Sequence, residues 1–161
     1  LIMKFKFKDK LMISDVGCGY GSLLAYLREK KINFSYSGYD INKNLIQRCI
    51  KNYPKTLFKV SYFPTKLTDI TIASGTYNYT VTDNVRIWEE YIIFNLKKCM
   101  AKSKLGLIFN LQFTKKESFI KNNIYYTNID FMLYKLKKEF LKVNKFYSTK
   151  SLNDIYFIIL K

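Results

Sequence analysis

The run Asp15-Val16-Gly17-Cys18-Gly19-Tyr20-Gly21 constrains this chain more than any other segment. An apolar stretch, Leu11-Met12-Ile13, precedes it and reads as a buried strand. Residues 22–28 follow it with helical spacing. A strand, a tight glycine turn and a helix in that order build a ligand site. The glycines let the backbone approach a ligand closely, and the helix start supplies unpaired N–H groups and a positive dipole end. About twenty residues on, Tyr39-Asp40 closes a second strand-like run, where an acid would meet a ribose diol.

The spacing separates two kinds of nucleotide site. A dinucleotide fingerprint requires a glycine at position 22, which is Ser22 here; the third glycine is Gly21. An acid, Asp15, also stands two residues before the first glycine. Asp15-x-Gly17-x-Gly19-x-Gly21 followed by Asp40 resembles motif I and its acidic follower in class I S-adenosylmethionine-dependent methyltransferases. The order of the remaining elements extends the resemblance from Leu11 to Lys161.

The spacing predicts strands over 11–16, 34–39, 56–62, 70–74 and 105–111. It predicts helices over 21–30, 43–51, from an Asp83 or Asn84 cap to about 102, and 129–141. Ile87, Tyr91, Phe94 and Met100 are read as apolar positions of the third helix, and Phe131, Tyr134 and Leu136 as the inner face of the fourth. The polar stretch 114–128 reads as a loop or short excursion. Residues 143–149 and 155–160 alternate as two strands around a turn cluster, and a connection so short makes them antiparallel. The expected fold is α/β: a doubly wound, mostly parallel seven-stranded sheet with a C-terminal antiparallel hairpin, in one domain over 1–161.

In such a sheet ligands bind at the C-terminal strand ends, where strand order reverses. The resemblance implies S-adenosylmethionine there. Gly17, Cys18, Gly19 and Gly21 would pass along its methionine end, with Asp15 helping to hold the ammonium group. Asp40 would accept from both ribose hydroxyls, and Ile41 would pack on adenine. The family often places an acid after the third strand. This chain has Ser61-Tyr62-Phe63, so Ser61 is a candidate for the adenine edge and Tyr62 for its face, with core packing the alternative. Ser74 and Gly75 would lie beside the transferring methyl group. Ile72-Ala73-Ser74-Gly75 and Asn110-Leu111 resemble small bacterial members.

The acceptor is less legible. The chain has no histidine, so the commonest general base is missing. Tyr77, Asp83 and Glu89 are weak candidates; Asp83 also suits a helix cap, and Glu89 a solvated helix face. No Asp-Pro-Pro-Tyr-type tetrapeptide follows the fourth strand and no Pro-Cys pair occurs, which argues against two nucleic-acid base chemistries. The formal charge is +16, from 28 Lys+Arg against 12 Asp+Glu, which invites a polyanion. The lysines are spread along the chain, whereas a nucleic-acid face clusters them. Cys18, Cys49 and Cys99 lack metal-ligand spacing and read as reduced thiols, hence a cytoplasmic setting. No apolar stretch is long enough to span a membrane, and the lysines of 4–8 interrupt any signal-peptide core.

Three functions therefore compete. The first is methyl transfer to a small-molecule O or N acceptor, the second methyl transfer to RNA or a ribosome-associated substrate, the third a non-catalytic cofactor-binding domain. Family members usually carry helices ahead of the first strand. Only ten residues precede Leu11, and position 1 is leucine. The expectation is an N-terminally truncated domain that lacks a lid and holds its cofactor weakly.

Overall fold

The computed structural model describes residues 10–30, 32–148, 151 and 153–161. Outside these residues fall the basic run 4–8, the lid expectation, the Thr149 end of one predicted strand and Leu152 of the turn cluster.

The chain alternates strand and helix: β1 (Leu11–Val16), α1 (Ser22–Glu29), β2 (Phe34–Asp40), α2 (Lys43–Asn52), β3 (Leu57–Val60), β4 (Thr68–Ala73), α3 (Val85–Ala101) and β5 (Ser103–Thr114). Next come β6 (Phe119–Lys121), β7 (Ile124–Asn128), α4 (Ile129–Glu139), β8 (Lys142–Tyr147) and β9 (Asp154–Leu160). The helix starts follow local chemistry. The Asn42 side chain accepts from the amides of Asn44 and Leu45, and Asn84 accepts from Ile87, which settles the open choice between Asp83 and Asn84.

β1 pairs in parallel with β2 on one side and β4 on the other, so the direction of winding reverses there. β3 extends the sheet beyond β2, and β5 lies beside β4. β9 pairs antiparallel with β5 over Gly106–Gln112, and β8 with β9. The expected parallel sheet with a final antiparallel pair is present. Pleat alternation sends Leu107, Phe109 and Leu111 of β5, with Ile155, Phe157 and Ile159 of β9, to one face under α3 and α4. Ile108 and Ile158 go to the other face, with Leu24 and Leu27 of α1 and Ile46 and Cys49 of α2.

The sheet has nine strands among the described residues, not seven. The polar stretch 114–128 holds the extra pair. Lys121 and Ile124 face each other across a two-residue turn, and Asn122 and Asn123 both have positive φ, 51° and 60°. Asparagine tolerates that conformation, and it makes the tight primed turn that hairpins favour. β5 is correspondingly longer than expected, and its end, Gln112–Thr114, pairs with β7. Gln112 pairs with Asp154 of β9 as well, so β7 occupies the β4 edge of β5, beyond the point where β4 stops.

Two helix faces also differ from the reading. Trp88, Ile92 and Leu96 form the buried stripe of α3, while Ile87 and Phe94 are exposed. In α4, Met132 and Leu136 turn inward, and Phe131 and Tyr134 turn out. Apolar residues surround both helices, so several stripes had the right period.

Candidate active site

The reversal of winding puts the C-terminal ends of β1 and β4 side by side. The Gly17 and Cys18 amides both donate to the Tyr39 carbonyl, at 2.7 and 3.0 Å, which folds the glycine turn back over β2. Asp40 then fastens the turn. Its Oδ2 accepts from the Gly19 amide at 2.9 Å, and its Oδ1 from the Asn42 amide at 2.8 Å. One carboxylate thus ties the glycine loop to the start of α2, and each oxygen keeps acceptor capacity for a further donor.

The glycines differ in what they do. A Cβ on Gly17 would run into the Thr76 side chain, whose hydroxyl donates to the Val16 carbonyl at 2.6 Å. Gly17 therefore makes room for the loop after β4. A Cβ on Gly21 would stand 3.0 Å from the Tyr53 ring, so that glycine is a packing position. Gly19 and Gly75 have φ of 54° and 72°, and nothing lies within 4 Å of where a side chain would begin. These two each face open space, one on the loop after β1 and the other on the loop after β4. Gly75 is itself held, since its amide donates to Asn110 Oδ1 at 2.7 Å and Asn110 Nδ2 donates to Asp154 at 3.2 Å.

Asp15 lies beneath the turn, only 3% exposed, and the Tyr36 hydroxyl donates to its Oδ2 at 2.5 Å. Burial pushes its titration up to about 7; the Tyr36 hydrogen bond opposes this, and the nearby charge of Asp40 adds to it. Cys18 is buried beside it, and burial and the neighbouring acids push its thiol up, which keeps it an inert filler. Cys49 of α2 donates to the Gly19 carbonyl at 3.2 Å and supports the loop from below.

Ile41 and Tyr62 are exposed beyond β2 and β3, available to an aromatic ring. Ser61 is placed differently. Its hydroxyl donates to the Phe63 carbonyl at 2.7 Å, and its amide to the Asp40 carbonyl, so both its donors are spent within the loop. Ser74 is exposed beside Gly75.

The structure does not bring the three weak base candidates together. Tyr77 is 2% exposed and packs edge-on against Phe109 in the core, where burial raises its hydroxyl well above the usual range. Glu89 is no solvated residue. It is 2% exposed, accepts from the Tyr125 hydroxyl at 2.7 Å and pairs with Lys135 at 2.7 Å, joining α3, β7 and α4. Asp83 is exposed ahead of α3.

The β6–β7 hairpin is sewn to the loop after β4. The Tyr125 amide donates to the Asn78 carbonyl and the Thr80 amide to the Asn123 carbonyl, both at 2.8 Å, while Asn78 Oδ1 accepts from Gln112. It therefore stands beside the C-terminal end of β5 and the loop after β4. Thr76, Tyr36 and this hairpin are the parts that reading the sequence missed. The strand period does place Tyr36 and Asp40 on one face of β2; Thr76 and the hairpin leave no signal of comparable strength.

The comparisons with known proteins agree with this geometry. A family model described as a methyltransferase domain matches residues 13–102. Rv1506c of Mycobacterium tuberculosis, a protein named as a methyltransferase, is 27% identical over 124 residues, covering 74% of this chain and 75% of that one. Among solved structures, magnesium protoporphyrin IX methyltransferase from Synechocystis PCC 6803, with bound S-adenosylmethionine, has a TM-score of 0.64 at 13% identity and covers 95% of this chain and 71% of its own. An S-adenosylmethionine-dependent methyltransferase from Mesorhizobium loti has a TM-score of 0.66 at 10% identity, over 99% and 95%. The CurJ carbon methyltransferase has a TM-score of 0.68 at 10% identity, over 99% and 50%.

Proposed function

This chain belongs to the methyltransferase-domain family, and we propose that it binds S-adenosylmethionine between Gly19 and Gly75 and methylates an O or N atom of a small-molecule acceptor. The observation that carries the reading is the pair of left-handed glycines, Gly19 and Gly75, with open space before both and Asp40 fastened beside one of them. The residues fit the group. Asp40 keeps lone pairs for a diol, Ile41 and Tyr62 offer apolar surface to adenine, and Asp15 supplies a carboxylate under the cationic end. The donors of Ser61 are spent, so it could serve the adenine edge only as an acceptor, through its hydroxyl oxygen.

Bound S-adenosylmethionine supplies a methyl group already activated by a neutral leaving group. The protein's part is then chiefly alignment, and holding two reactants in line removes much of the barrier. Asn110, anchored by Asp154, fixes Gly75 and with it the edge past which the acceptor must approach. The hairpin bonded to the loop that carries Gly75 would narrow that approach, which supports a small acceptor over a nucleic-acid strand. Lysines paired on separate elements, such as Lys97 with Glu139, Lys104 with Asp69 and Lys145 with Asp130, also speak against a concentrated basic face. The three cysteines are free and buried, which fits a reducing, cytoplasmic setting, and no helix among the described residues is long and apolar enough to cross a membrane.

The test is calorimetric titration with S-adenosylmethionine and its demethylated product. Asp40→Ala should weaken binding by about 1.5–3 kcal/mol, the range for hydrogen bonds to a charged acceptor. Gly19→Val should abolish binding, because its side chain would enter the open space before the loop and a β-branched residue at φ 54° also strains the turn; circular dichroism checks that the fold remains. Normal binding by both variants refutes the site. Methyl label supplied with a cell extract should appear in the small-molecule fraction, and label in RNA overturns the acceptor reading.

A further inference from the structure

We infer that cofactor binding drives a proton off Asp15, and that Tyr36 is the positioning residue that holds this carboxylate for the exchange. The inference rests on the cofactor reading above. Asp15 is the penultimate residue of β1, two residues before Gly17, and is buried from water. Tyr36, also buried, reaches it from β2 and donates to Oδ2 at 2.5 Å. The titratable groups that face Asp15 are Tyr36 and Asp40 of β2, the Cys18 thiol of the loop and the Cys49 thiol of α2. None of them is cationic. A carboxylate in that setting has only the Tyr36 hydrogen bond to offset the loss of water, so in the empty protein it holds its proton up to about neutral pH.

The ligand changes the balance. The methionine end of S-adenosylmethionine carries a sulfonium and an ammonium. A positive charge brought over the glycine turn favours ionised Asp15 and lowers its titration. The neutral carboxyl then gives its proton to solvent, and the resulting carboxylate faces the cation; at pH 6 the ligand's amine is already an ammonium, so the proton counted there is the carboxyl's. The Tyr36 hydroxyl donates to the same oxygen in both forms, so it fixes the orientation and favours the ionised state. By linkage, affinity is highest above about pH 7. Below that it falls as pH falls, up to tenfold per pH unit, until the titration of the bound form is reached.

The experiment is calorimetry of the full chain with S-adenosylmethionine at pH 6 and pH 8, each in two buffers of different ionisation enthalpy, which counts released protons. The unmodified chain should release close to one proton per cofactor at pH 6 and about a tenth of that at pH 8. Asp15→Asn should release none at either pH. Tyr36→Phe should bind and fold, with its proton-release curve moved to higher pH; a merely structural tyrosine would leave that curve in place. Carboxyl-carbon NMR of the unmodified chain gives a readout independent of any variant. The Asp15 signal should titrate near 7 when free and well below when saturated. Binding with pH-independent affinity and no proton release overturns this inference and leaves the cofactor site standing. Absence of binding at both pH values overturns both.

Discussion

Replacing Lys135 with methionine isolates the buried pair that joins the two helices over β5. Glu89 is 2% exposed and Lys135 24%. Removing the ammonium leaves a carboxylate out of water with the Tyr125 hydroxyl as its remaining partner at 2.7 Å. Breaking a buried pair from one side costs about 3–5 kcal/mol. The lysine is partly wet and the tyrosine stays, so the cost should lie lower, about 2–3 kcal/mol. For a chain of this length that lowers the melting temperature by roughly 5–10 °C. Glu89→Gln should cost less, about 1 kcal/mol, because the freed lysine can swing to solvent while the amide oxygen still accepts from Tyr125. The double variant should sit close to Glu89→Gln alone, which gives a coupling of about 2–3 kcal/mol. Urea denaturation of the four chains at pH 7 measures the cycle. A cost below about 0.5 kcal/mol for Lys135→Met, within the range of surface pairs, would show that water reaches the pair and would refute the burial argument. Calorimetry on Glu89→Gln adds a second check. Unchanged cofactor affinity is expected, and a large loss would return Glu89 to the active site.

Gly106 offers a test of the sheet itself. Its φ is 152°, and a Cβ there would strike the Ile159 carbonyl on the paired strand. Gly106→Ala should therefore cost about 3 kcal/mol or more, or prevent folding, as read by circular dichroism and denaturant titration. For RNA, short oligomers should bind only weakly and release steeply as salt rises, since counterion release follows charge number rather than sequence. Binding that survives physiological salt and discriminates between sequences would contradict the diffuse charge.

The proposed cofactor residues were legible because most of them are local. Asp15, the glycines and Asp40 lie within one strand-turn-helix-strand unit, where spacing along the chain is spacing in space. Asn42 as a cap was legible for the same reason. The acceptor half was not. Thr76 acts by crossing to Val16, sixty residues away, and Gly75 is fixed by Asn110. Glu89 reads as a solvated helix position until β7 and α4 close over it. The hairpin was hidden by polar residues, since three-residue β6 has little apolar alternation and its strongest cue is a two-asparagine turn. Phe131 and Tyr134 misled because an apolar residue on a helix does not declare which stripe is buried.

The β6–β7 hairpin touches β5 through three residue pairs at its very end, and it closes on itself through an asparagine turn. Tyr125 and Thr127 at its base are core residues and Asn128 caps α4, but the turn and the β6 side can be rewritten without disturbing the strands that carry Asp15 and Asp40. If the hairpin borders the acceptor as proposed, a lineage could change what it methylates by drift or exchange within residues 119–124 while keeping the proposed cofactor residues intact. For an engineer, the same span is where a transplanted hairpin would retarget the enzyme, with Asn78 and Gln112 as the seams to preserve.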